Sequence, residues 1–116
     1  MAFKDDGRHV MLSELATVAV YASLHSAYPA TSGNEINGGS PAYARKAITW
    51  ATPASGAMAL NGTLPTFDVP AGATVAAVGF WSALTNGTLY ADDDVTSESF
   101  AGQGTYALSS GQVSIT

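Results

Sequence analysis

Cysteine is absent from this 116-residue chain, which removes disulfides and thiolate metal sites from consideration. Charge is scarce as well. Only 11% of residues are charged, against about 25% in ordinary globular domains, so much of the surface must be neutral. The basic side chains are Lys4, Arg8, Arg45 and Lys46, and the net charge is −5. A duplex-binding face needs clustered Lys and Arg to displace counterions, so nucleic acid is not an expected partner. No apolar run approaches the ~18 residues that cross a bilayer, and no membrane partner is expected. The start, Met1 to Gly7, lacks the basic-then-apolar order of a signal peptide, so synthesis and retention in the cytoplasm are expected. Histidine occurs only as His9 and His25, and no serine stands in a Gly-x-Ser-x-Gly context. A nucleophilic triad is therefore not expected, nor are a cofactor or a metal, and the chain reads as a non-enzyme.

What remains is a small β-rich chain, long enough for one domain over 1–116 with a modest core. A short helix is expected over about 5–16. Asp5 or Asp6 would cap it, Phe3 would staple it, and Met11, Leu12, Leu15 and Ala16 recur at helical spacing. Thr17 to His25 is a β-branched run of strand length, and 26–41 is a long loop rich in Gly, Ser, Asn and Pro. From 43 to 50 an alternating strand would set Tyr43, Arg45, Ala47 and Thr49 on one face. Thr74 to Leu84 is the most apolar run and predicts a central strand buried on both faces, with Gly79 marking a bulge or close backbone approach. Phe80 and Trp81 must point to opposite faces, one into the core and the other into a second layer or interface. Asn61-Gly62 and Asn86-Gly87 predict type I′ turns, and Ser109 to Gly111 predicts a tight hairpin before a strand over Gln112 to Ile115. Roughly seven to nine short strands at this spacing predict a mainly β fold, a single antiparallel β-sandwich or jelly-roll-like domain with a short N-terminal helix.

Three clusters test for chemistry. Asp92, Asp94 and Glu98 alternate and could share one strand face, but they lack the order and glycine of a calcium loop; a solvated acidic turn is the expectation. Gly102-Gln103-Gly104-Thr105-Tyr106-Ala107 matches a dinucleotide fingerprint by letters alone, because β-like residues follow instead of a helix. His25, beside Ser26, is expected to cap backbone at the rim of a sheet, and His9 to be a partly exposed helix residue. The aromatics Trp50, Trp81, Phe80, Phe67, Tyr43 and Tyr90 are expected in core or subunit interface before any sugar platform.

The loop from Gly33 to Arg45, with Asp5-Asp6-Gly7, Ser23-Leu24-His25, Val69 to Gly72 and Gly79 to Ser82, resembles small virion structural proteins of tailed bacteriophages, especially those infecting actinobacteria. The resemblance spans most of the first 90 residues. It implies location in a virion and a structural role, foremost as a capsid decoration (cement) protein. The partners implied are the major capsid protein and copies of the chain itself, in a trimer at local three-fold points. The alternative implied is a minor tail or tail-fibre-associated module binding a host-surface glycan or protein. Interface candidates are Glu35, Asn37, Ser40, Pro41, Tyr43 and Arg45 in and after the long loop, with Lys4 and Arg8 in the N-terminal segment. Arg45 suits a carboxylate on a neighbouring subunit or Glu35 of its own domain equally well.

Overall fold

The computed structural model describes residues 3–114 and is mainly β, with antiparallel sheets and one N-terminal helix, as the strand-length apolar runs predict. Helix α1 (Asp5–Val18) leads into β1 (Tyr21–His25), followed by a single 3-10 turn at Ser32–Asn34. Two short strands come next, β2 (Lys46–Ala47) and β3 (Thr49–Trp50). The rest are β4 (Ala57–Asn61), β5 (Thr66–Val69), β6 (Thr74–Trp81), β7 (Leu89–Ser99), β8 (Gly104–Ala107) and β9 (Gln112–Ser114). They form a four-stranded sheet in the order β2-β1-β6-β7, a three-stranded sheet β3-β4-β9 and a ribbon β5-β8.

Strand alternation gives the four-stranded sheet two different faces. Ala22 and Leu24 of β1 share one face with Val78 and Phe80 of β6, since Ala22 pairs with Phe80 and Leu24 with Val78. All four are fully buried in the main core, together with Phe67 and Val69 of β5, and Trp50, Leu60 and Val113 pack against them from the smaller sheets. Ser23 and His25 lie on the opposite face, across from Gly79 and Ala77, and they are buried too. β6 is thus central and covered on both sides from Ala77 to Trp81, which explains its unbroken apolar run. Phe80 enters the core and Trp81 the second layer, as their adjacency requires.

Gly79 sits between these layers. A Cβ there would meet Ser23 Oγ at 2.6 Å, His25 Nε2 at 2.7 Å and Leu89 Cδ1 at 2.9 Å, so the absence of a side chain is what lets β1 and β7 flank β6 with a histidine lying across it. Register shifts against β7 fall on either side, at Val75/Ala77 and Phe80/Trp81.

Several local expectations are corrected. Helix α1 continues through Thr17 and Val18, because Leu12 is fully buried and Leu15 packs on the core, so docking outweighs the β-branched propensity of its last turn. Its N-cap is Lys4, with no side-chain cap bond; Asp5 instead pairs with Arg8 one turn on. The stretch 43–50 is no continuous strand: β2 joins the four-stranded sheet and β3 the three-stranded one, the chain changing sheet at buried Ile48. Trp50 then anchors the change, its indole N–H donating to Ala19 O at 2.7 Å and its ring meeting Phe80 edge-on at 5.0 Å. Asp92 to Glu98 is not a turn but the middle of the eleven-residue strand β7. Asn61-Gly62 joins strands that do not pair with each other, and φ is positive at Gly62 but not at Asn61, so it is no type I′ hairpin; Asn86 and Gly87 do both adopt positive φ. Ser109 to Gly111 likewise joins β8 and β9, which belong to different sheets. Ile115, the expected end of the last strand, lies outside the described residues.

Gly79→Ala is expected to lower unfolding free energy by about 1–3 kcal/mol, the usual cost of forcing a side chain into a packed layer. Urea unfolding followed by tryptophan fluorescence measures this; an unchanged midpoint would show that the two layers can part freely.

Candidate functional site

The long loop folds back over the polar face of the four-stranded sheet. It begins on β1 itself: the Ser26 amide donates to Asn34 O at 2.9 Å and the Ile36 amide to Leu24 O at 3.0 Å, so residues 34–36 extend the sheet along the edge that β2 leaves open. Side chains then carry the contact inward. Trp81 Nε1 donates to Ser23 Oγ at 2.6 Å, Ser23 Oγ is 2.6 Å from His25 Nε2, and His25 Nδ1 is 2.8 Å from Asn34 Oδ1. With the Trp81 donor fixed, the consistent assignment has the Ser23 hydroxyl donating to Nε2 and the Nδ1–H donating to Asn34. Asn34 passes the load on, its amide donating to Ala27 O and Pro29 O. Farther along the loop, the Ala30 amide donates to Asp92 on β7 at 2.9 Å.

Serine, histidine and asparagine in this order have the connectivity of a nucleophile, base and orienting group. The serine is fully buried and its oxygen already accepts the indole proton. It is closed off from solvent, and the relay binds the loop to the sheet. His25 is accordingly a buried member of this chain, not a capping residue at the rim.

A second, ionic layer lies beside the first. Arg45 Nε and Nη2 donate to the two oxygens of Glu35 at 2.9 and 2.8 Å, a bidentate pair. Tyr43 Oη donates to Glu35 at 2.8 Å and accepts from the Leu24 amide at 2.9 Å. Arg45 Nη1 reaches across to Ala83 O at 2.9 Å and Asn86 O at 2.7 Å in the β6–β7 connection. Its guanidinium carbon rests 3.6 Å from the centre of the Trp81 ring. Of the two pairings open for Arg45, the structure has the one with Glu35 inside the domain, with the arginine side chain 8% exposed.

The same contacts set the proton affinities. Burial holds the His25 ring below its ordinary value of 6.5, against the opposing pull of Asn34 and Glu35. Burial pushes the Glu35 carboxyl up, but the hydrogen bonds from Arg45 and Tyr43 and the arginine charge outweigh it and leave it below the ordinary 4.5. Burial, reinforced by the Glu35 charge, raises the Tyr43 phenol.

The structure therefore brings Glu35, Tyr43 and Arg45 together and leaves other sequence candidates elsewhere. Asn37 is exposed on the rim of a concavity of about 370 Å³, opposite Leu84, Thr85 and Asn86. Ser40 and Pro41 are exposed but clamped by Gln103, whose side-chain oxygen accepts from the Ser40 amide and whose nitrogen donates to Pro41 O, both at 3.2 Å. Lys4 and Arg8 lie at the start of α1; Arg8 bonds Asp5 through Nη2 and Phe3 O through Nη1 at 3.0 Å. His9 is half-buried and accepts the Gly56 amide at 3.3 Å. The sequence assigns no site role to Ser23, Asn34 or Gln103, and places Trp81 only among the aromatics of core or interface. The only signal for the first was its spacing, Ser23 and His25 being two apart and so on one strand face.

Asp93, Asp94 and Glu98 line a separate surface groove of about 490 Å³ with Tyr106. Asp92 is held by Ala30, and among the described residues no three His, Asp or Glu side chains are grouped to hold a metal. The Gly-x-Gly letters fall at the start of β8, which pairs with β5 and is followed by no helix.

The model of the family described as Podophage GP4 fiber I protein gp80 matches residues 9–116. No curated protein is significantly similar to the chain, and no solved structure is either.

Removing one partner of the buried pair leaves an uncompensated charge, so Glu35→Gln or Arg45→Met is expected to cost about 3 kcal/mol. The double variant should lose clearly less than the two single losses added, and a double-mutant cycle in urea reads that coupling. The protonation state gives a pH signature. Native His25 stays neutral where the unfolded chain binds a proton, so stability is whole above about 6.5 and falls as pH drops below it. Glu35 adds a further loss below about 4.5, as its protonation dissolves the pair. Unfolding midpoints at pH 7 and pH 5 should differ in the parent and differ less in His25→Gln; equal pH dependence would exclude the imidazole as the titrating group.

Proposed function

The chain belongs to the family described as Podophage GP4 fiber I protein gp80, and from that premise we propose that it is a subunit of a fibre on a phage particle. Membership makes it a virion structural protein. The finer placement, fibre over shell, rests on the family description and on the breadth of the match, 9–116. The subunit acts by non-covalent contact with copies of itself and with a neighbouring virion protein. The polar side chains beneath the loop are consumed in holding it in place: Ser23, His25, Glu35 and Arg45 all close on internal partners. A rigid exposed loop on a small β scaffold is suited to presenting a fixed surface to a neighbour, because little ordering entropy is left to lose on contact.

Decoration of the capsid shell is the second reading, and one observation favours it. With 11% charged residues, the chain has a neutral surface of small residues that a lattice of neighbours can cover at low desolvation cost. At roughly 25 cal/mol per Å² of apolar area, several modest contacts would add usefully to the strength of a shell.

Quantitative mass spectrometry of purified virions distinguishes the two. A few copies per particle, with antibody label on appendages, is the expected result. A copy number equal to that of the major capsid protein, or a simple lattice fraction of it, would overturn the fibre placement in favour of the shell.

A further inference from the structure

The concavity of about 370 Å³ beside the ion pair has two walls from different parts of the chain, residues 35–37 with 43–45 on one side and residues 84–86 on the other. Arg45 braces them together, bonding Glu35 in the first wall and the backbone of Ala83 and Asn86 in the second. The cleft is thus preformed, and a ligand entering it does not have to order its walls.

The lining has a definite chemistry. The carboxylate and guanidinium at its base neutralise each other, so the cleft presents no net charge to a ligand. Ala44 and the half-exposed Leu84 supply apolar contact, while Ile36, which also borders the cleft, is buried in the core. The side-chain amides of Asn37 and Asn86 and the Thr85 hydroxyl have no hydrogen-bond partner among the described residues, and all three residues are exposed at the rim. Arg45 has five N–H groups, of which four are used, so one Nη2 hydrogen is left over. An uncharged cleft with apolar patches between amide and hydroxyl groups matches a ligand whose hydroxyls and C–H faces alternate around a ring.

We infer that this cleft binds a neutral saccharide, a single hexose-sized unit of a larger glycan. The inference stands on the cleft alone and is independent of where on the virion the subunit sits. With few polar contacts and no fully exposed aromatic platform, an affinity on the order of millimolar is expected for one cleft, and copies arrayed on a particle would raise it through avidity. A charged sugar is disfavoured, because the arginine that would pair with an acidic group is already engaged bidentately.

The test is an amide-resolved NMR titration of the full chain with methyl glycosides of glucose, galactose, mannose and rhamnose and with N-acetylglucosamine, each to about 50 mM, with glucuronate as the acidic counterpart. Saturable shifts from at least one neutral sugar, clustered at residues 35–37 and 84–86, are expected. Asn37→Ala should weaken that sugar about fivefold to tenfold, the effect of one hydrogen bond. Asn86→Gly should do the same while keeping the positive-φ backbone at that position. The inference is overturned if no neutral sugar shifts these residues, if the shifts fall elsewhere, if glucuronate alone binds, or if both variants, folded by their spectra, bind as tightly as the parent.

Discussion

Arg45 donates four hydrogen bonds, two to the Glu35 carboxylate and two to backbone carbonyls of a connection some forty residues along the chain, and covers the Trp81 ring with its planar face. That one side chain joins the long loop, the β6–β7 connection and the central strand. A lysine could not do the same, because a point charge cannot meet a carboxylate, two carbonyls and a ring face at once. Burying the pair is expensive unless its hydrogen-bonding groups are met; here Tyr43 takes up the remaining demand of the carboxylate, and four of the five guanidinium N–H groups are bonded. A buried pair of this kind adds little net stability over a well-packed apolar replacement, but losing one partner leaves the other charge buried and unpaired.

The neutral relay from Trp81 through Ser23 and His25 to Asn34 complements this brace. Both run over the face of the four-stranded sheet that is not in the apolar core, so the sheet is covered on one side by packing and on the other by hydrogen bonds. Gly79 is the space that makes this second layer fit. A small domain with few apolar residues to spare in its loops has in this way a second means of fixing a long segment. The sixteen or so residues that would otherwise be a mobile excursion become a shaped surface.

For a virion structural protein that arrangement has a consequence. The family model spans residues 9–116, scaffold and loop together, and the exposed residues of the loop, Asn37, Ser40 and Pro41, are carried on a hydrogen-bonded base. On the proposed reading, specificity for a neighbour or a ligand lies in a few exposed side chains at fixed positions, and changing them need not disturb the network beneath.

Much of this was legible in the residues. Alternation and apolar run length marked β6 as central and buried, the adjacency of Phe80 and Trp81 separated core from second layer, and an interior glycine marked a close approach at position 79, because each of these signals is local and depends only on strand geometry. The class, mainly antiparallel β with an N-terminal helix, followed from the same local pattern. The sequence could name Glu35, Tyr43 and Arg45 as polar residues of one loop, and it could offer Arg45 two partners without choosing between them. Tertiary structure decided the rest: that Arg45 turns inward, that His25 is buried, that Asp92 to Glu98 continue a strand, and that Asn61-Gly62 and Ser109 to Gly111 join strands of different sheets. Each of these depends on which distant strand lies alongside. Pairing partners separated by up to some sixty residues, as Ala30 and Asp92 are, leave no periodicity in the chain, so their energies enter only once the sheets have assembled.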